Sequence, residues 1–297
     1  METKNSTMKK TAESKSITNE LYKEVSKVQL STLLPGVKFP TRHDHAILDK
    51  DGNILSFCSD NYNLRPNSTL FQPLEEQMKA EKIPFDRKVT IREGTRFYVD
   101  YIIGDRVKGP TVNDILPKFS VWNSYDGTLR TVMKFGFYRV VCSNGLAVPH
   151  GKTVDVYKKH YKASKAQDGI DISAMDSARI IEPFREFLNS TKEYLGIYEN
   201  LNNVEADVKK ILEICEKLKF SKAVSETAVQ RFNAETATDR SLTYVNENGE
   251  LVTHEGSEPS LYTAYNAINY AIYNNNPKEY PEVKLKRDEL VLAEVLA

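Results

Sequence analysis

Apolar positions along the chain keep two different rhythms. Up to about residue 150 the runs are short, rich in β-branched and aromatic residues, and interrupted by turn signals, which is the texture of strands. The central run is Lys118 to Leu146. Phe119, Val121 and Tyr125 alternate with polar neighbours, Asp126-Gly127 supplies a turn within Asn123–Thr128, and Leu129, Thr131 and Met133 alternate on the return. Glycine takes positive φ there without steric cost, so the pattern predicts a long central hairpin, closing at Asn144-Gly145. Ala46–Leu48 and Ile54–Phe57 flank Asp49–Asn53 as a second hairpin, and 89–106 yields two strands or more. The sheet should hold four to six strands by Val148.

After Gly151 the period lengthens. Ile180, Phe184, Phe187, Leu188 and Leu195 recur at helical spacing over 173–200. Val208, Ile211, Leu212 and Cys215 do so over 204–218, and the short link between these two predicts an antiparallel pair. Shorter helical segments follow at 223–232 and from Ser257 to about Tyr273. A closing segment, 283–296, suits a strand or a helix. In the first half, Leu70, Phe71, Leu74 and Met78 predict one helix over 67–82, capped by Ser68 or Thr69. The expected fold is therefore α+β: a mostly antiparallel sheet with a long central hairpin in the first half, and helices from the second half packed on it.

Residues 1–18 are rich in Lys, Ser and Thr and read as a mobile tail. Leu21, Val25, Val28 and Leu30 then suggest an amphipathic helix, a docking arm for a neighbouring subunit. The organisation expected is 1–36 as tail and docking helix, then one domain over 37–297. That domain is sheet-rich to 155 and helix-rich from 156.

Composition narrows the chemistry. The 297 residues are 40% apolar and 28% charged, ordinary for a globular protein. No run approaches the roughly 18 apolar residues of a membrane span, and no secretory leader is expected, so a cytoplasmic protein of a bacterial host cell with no membrane association is the reading. Cys58, Cys142 and Cys215 are widely spaced in apolar settings and read as reduced thiols. The 41 basic and 41 acidic residues cancel, which argues against binding polyanions by bulk charge. Their distribution is uneven. From Lys118 to Lys165 nine basic residues face only Asp126 and Asp155, a net +7. Phosphates require Lys or Arg, and unstacked bases stack on aromatic rings. Candidate phosphate contacts are Arg130, Lys134, Arg139, Lys152, Lys158 and Lys159. Candidate stacking residues are Trp122, Tyr125 and Tyr138, against the alternative that these rings belong to the core.

Three segments resemble the phage/plasmid-like protein family, a prokaryotic and viral domain of unknown function carried on mobile elements. They are Gly52-Asn-Ile-Leu-Ser-Phe-Cys-Ser-Asp-Asn-Tyr-Asn-Leu-Arg-Pro-Asn67, the pair Asn123-Ser-Tyr-Asp-Gly127 and Arg139-Val-Val-Cys-Ser-Asn-Gly-Leu146, and Ser260-Leu-Tyr-Thr-Ala-Tyr-Asn-Ala-Ile-Asn-Tyr270. The resemblance spans about residues 40–275 and implies a setting on phages, plasmids or genomic islands, with no activity to carry over.

Enzyme signatures are missing: no phosphate loop, dinucleotide fingerprint, nucleophile elbow or His-Glu-x-x-His. Cys142 near His150 is the one catalytic lead, weighed against a buried strand-end thiol. His43 and His45 lack a third metal ligand. Asp49, Asp51 and Asn53 hint at a calcium loop, but Gly52 and Asp60 fall at the wrong places. The function expected is a non-enzymatic phage- or plasmid-type protein, a homo-oligomer. It would bind single-stranded DNA without a nucleotide cofactor, by analogy with the annealing proteins of phage recombination. The alternatives are a structural or protein-interaction role, and an uncharacterised enzyme.

Overall fold

The structure is a computed structural model that describes residues 16–104, 115–139, 144–146, 156–158, 178–237, 242–245, 251–254 and 257–297. The described residues form the expected α+β fold, with antiparallel strands ahead of helices. Two compact units divide it: the first takes Met1–Tyr101, Ser120–Lys134 and Val154–Phe184, the second Ile102–Phe119, Phe135–Thr153 and Arg185–Ala297.

In the first unit, helix α1 covers 16–21. Strands β1 (Val25–Gln29), β2 (His45–Asp49) and β3 (Ile54–Cys58) follow as an antiparallel sheet. The docking helix predicted over 17–34 is corrected. After α1 the chain turns into β1, and only Leu30–Leu33 (α2) is helical again. Val25 and Val28 fit a helical stripe, but β1 pairs along the whole of β2, from Val25↔Asp49 to Gln29↔His45. Ladder hydrogen bonds to a neighbour outweigh a weak local preference, and β-branched residues suit them. Helix α3 (Asn67–Ala80) buries Leu70, Phe71, Leu74 and Met78 as its spacing predicts.

Strands β4 (Phe85–Arg92), β5 (Arg96–Ile103), β6 (Ile115–Ser124), β7 (Thr131–Arg139) and β8 (Asn144–Leu146) are neighbours in that order, and β9 (Val156–Lys158) pairs with β7. The central hairpin is β6–β7. Two details differ from expectation. Strand β6 is buried at every position except Leu116, so its polar residues do not mark a solvent face. Asn144 and Gly145 do not close the hairpin; they lie in β8, paired with Arg139 and Tyr138.

The second unit is helical around β7. Phe135 stacks on Phe119 at 5.1 Å and on Phe187 of α4 (Ala178–Asn189) at 5.3 Å. Phe137 meets Tyr194 and Tyr198 of α5 (Thr191–Asn202). Each enclosed ring contributes about 1.5–3 kcal/mol by burial, which seats these helices on the strand. Helix α8 (Leu261–Asn274) is enclosed by α7 (Lys222–Thr236), α9 (Pro281–Val295), α5 and α6 (Val208–Lys217). Helices α5 and α6 both pack on α8. Ser260 caps α8 by accepting from the Thr263 N–H, and Tyr265 donates to Asp288 of α9 at 2.8 Å. Strands β10 (Leu242–Val245) and β11 (Leu251–His254) form the predicted small hairpin.

Candidate nucleic-acid interface

The hairpin loop 125–130 owes its shape to one carboxylate. Asp126 Oδ1 accepts from the Thr128 N–H and hydroxyl, and Oδ2 accepts from Thr95 and from Arg96 Nε, each at 3.0 Å. Gly127 takes φ +71°, as the turn requires. Burial acts to raise the Asp126 carboxyl, but the hydrogen bonds from Thr128, Thr95 and Arg96 outweigh it and hold it below the ordinary range. The loop is thereby fixed against the start of β5.

Beneath the loop lies a polar network whose members are scattered along the chain. Asn123 is fully buried. Its Nδ2 donates to the Arg65 carbonyl at 3.0 Å and to Asn67 Oδ1 at 2.8 Å, and its Oδ1 accepts from Thr131. Asn67 Nδ2 reaches the Leu21 carbonyl, and the Asn67 N–H donates to the Tyr125 hydroxyl. Arg65 Nη1 donates to Thr131, and Tyr62 donates to the Ser124 carbonyl. Two of the segments singled out in the sequence, 52–67 and 123–127, meet here. The first α3 N–H, which has no intrahelical partner, is thus satisfied by the Tyr125 hydroxyl, and the buried Asn123 amide by Arg65, Asn67 and Thr131, as burial of polar groups requires.

The network fixes Thr131, where β7 begins, and Thr131 pairs with Lys158 of β9. Arg130 precedes it, exposed to solvent; Lys134 lies three residues on, half-buried and engaged. Three predicted phosphate contacts, Arg130, Lys134 and Lys158, are therefore within a few residues of one strand end. Arg139 falls at the far end of β7, in the other unit. Lys152, Lys159, Cys142 and His150 lie outside the described residues.

The aromatic candidates are placed otherwise than stacking requires. Trp122 is 7% exposed, Tyr125 2% and Tyr138 5%. Trp122 packs edge-on to Tyr98 at 5.7 Å, and Tyr125 packs on Phe97 at 4.9 Å. Burial pushes the Tyr125 hydroxyl up to about 12, against the lowering effect of the Asn67 N–H. As arranged, these rings are core and leave no face for a base. Lys118, counted with the basic run, is buried too.

The other charged clusters are internally matched. The Lys23 ammonium bridges Asp49 at 2.6 Å and Asp51 at 3.1 Å, so a lysine sits where the calcium-like spacing would put a cation. His43 is in a single 3-10 turn, whereas His45 opens β2 with its Nδ1 2.9 Å from Asp44. Glu75 Oε1 receives Tyr22, Arg87 and Tyr101 together. No helix among the described residues is long and apolar enough to cross a membrane.

The fold defines an α+β protein with a braced central hairpin and basic residues around the start of its second strand. A family model described as "Domain of unknown function (DUF932)" matches residues 54–290. The chain belongs to that family. Strands β1 and β2 precede the matched span, β3 opens it, and α9 runs past its end. No curated protein matches the chain, and no solved structure does.

Proposed function

We propose that this protein binds single-stranded nucleic acid through its phosphates, without a nucleotide cofactor. The observation that carries the reading is the β7–β9 register, which pairs Lys158 with Thr131, the residue after exposed Arg130, while Lys134, three residues further on, belongs to the other face of the same strand end. A rigid strand end with several cations about it suits a flexible polyanion. With Trp122, Tyr125 and Tyr138 in the core, the affinity comes from charge, and sequence preference is weak. The resemblance to phage- and plasmid-borne proteins supports a setting in replication or recombination of mobile DNA, where strand binding or annealing is needed.

Anisotropy of a labelled single-stranded oligonucleotide, titrated with protein over a series of salt concentrations, tests this. Three phosphate contacts on a single strand give a slope of log K on log salt of about −2, or a loss of about 20-fold in affinity from 50 to 200 mM salt. A steeper slope counts further basic residues. Salt-independent binding, or none, sinks the proposal.

A further inference from the structure

The β1–β2–β3 sheet has its sides reversed. Paired residues of an antiparallel ladder project to the same face. Ala46↔Phe57, Leu48↔Ile54, Val28↔Ala46 and Ser26↔Leu48 therefore define one face, and Lys27↔Ile47 and Ile47↔Ser56 define the other. Ile54 and Phe57 are three apart and would ordinarily point to opposite sides. The register shift between Ile47 and Leu48 leaves Leu55 as an extra residue and brings both onto the first face. That face is the solvent side: Ile54 and Phe57 are each 51% exposed and Ser26 is exposed, Val28 and Leu48 are half-buried, and only the small Ala46 is buried. The inner face instead carries Lys27, whose ammonium donates to the carbonyls of Asp60 and Tyr62. So the lysine is turned inward and the aliphatics outward. The chain running on from β1 also exposes Leu33, Leu34 and Val37.

We propose that this face is where a second copy of the chain docks, sheet against sheet across a two-fold axis. A two-fold interface sets each residue near its own mate, so any charge on it meets a like charge. Ser26, Val28, Ala46, Leu48, Ile54 and Phe57 include no charge. The chain's net charge is zero, so nothing long-ranged opposes the approach of two copies. Strand β3 is also an edge, with one side paired to β2 and the other without a strand partner among the described residues. Uncovered aliphatic residues beside an open edge are what monomeric proteins avoid. The three strands present about 15 Å by 17 Å, short of the roughly 800 Å2 per partner of a standard interface. Even with the 30–37 turn the dimer is a weak one, with a dissociation constant in about the micromolar range. This proposal is independent of the nucleic-acid reading.

Sedimentation equilibrium on the full chain, freed of nucleic acid by nuclease and run from about 1 to 200 µM, is the test. The wild type should move from one-chain to two-chain mass across that range. Phe57→Lys should stay at one-chain mass with an unchanged circular-dichroism spectrum, because two ammonium groups then meet near the axis. An equal mixture of Phe57→Lys and Phe57→Glu should recover the two-chain mass. Leu212→Lys, an equally exposed aliphatic of α6, should behave as wild type. A wild type that stays monomeric throughout overturns the proposal, as does a dimer that Leu212→Lys dissolves and Phe57→Lys leaves intact.

Discussion

Asn123→Ala should unseat the base of the central hairpin. The side chain is fully buried and makes three hydrogen bonds, to the Arg65 carbonyl, Asn67 Oδ1 and Thr131 Oγ1, at 3.0, 2.8 and 3.3 Å. The two short ones are worth about 1 kcal/mol each in net terms. Truncation also strands Asn67 Oδ1 and the Arg65 carbonyl in a dry interior, which adds about 1 kcal/mol or more. The expected loss is about 3 kcal/mol, or a urea midpoint lower by about 1.5 M at a slope near 2 kcal/mol/M. The reporter is built in: Trp122 is the chain's only tryptophan, buried in the same unit one residue away. Its fluorescence follows that unit without assuming that the whole chain unfolds in one step. Asn67→Ala supplies the control. Because the two amides bond each other, the double variant should lose less than the sum of the singles, by about 1 kcal/mol or more. Strict additivity, or a midpoint shift under about 0.3 M, would refute the network's role in holding Thr131.

Two further outcomes follow from buried polar groups. The Tyr125 hydroxyl, raised to about 12 by burial, stays neutral in the folded chain while the unfolded chain ionises near 10, so stability is intact below about pH 10 and falls through pH 12; Tyr125→Phe should shallow that alkaline loss, read by urea midpoints against pH, and cost about 1 kcal/mol at neutral pH. Asn266, enclosed in α8, has neither its amide donor nor its acceptor matched, so Asn266→Leu should raise stability by about 1 kcal/mol, seen as a higher midpoint in far-ultraviolet circular dichroism; a loss of similar size would mean that the amide is satisfied in solution.

The hairpins were readable because their turns carry local signals. Asp49–Asn53 and Asp126-Gly127 need particular φ values and side-chain acceptors, and both hairpins formed there. Helix α3 was readable because its buried residues recur at helical spacing, whereas α8, buried at nearly every position, was readable from the Ser257-Glu-Pro259 start ahead of it. Strand β1 was not, since Leu21, Val25 and Val28 satisfy a helical stripe and only the partner strand decides otherwise. In β6, Lys118, Ser120 and Asn123 look like solvent positions, yet all three are buried. A strand covered on both faces erases the alternation that sequence reading relies on. The same blindness hid the Arg65–Asn67–Asn123–Thr131 network, whose members are distant in sequence and individually unremarkable. It also drew Trp122, Tyr125 and Tyr138 onto an imagined surface. Of the predicted site, Arg130 is exposed at the start of β7, Lys134 lies half-buried further along that strand, Lys158 is in the strand paired with its start, and the aromatic part lies inside.

The most direct measurement is the salt slope of single-stranded oligonucleotide binding, compared between wild type and Arg130→Ala. Arg130 is exposed on a loop braced by Asp126, so the variant keeps its fold and loses one phosphate contact. The account predicts weaker binding and a slope shallower by about 0.7. An unchanged affinity and slope would contradict it.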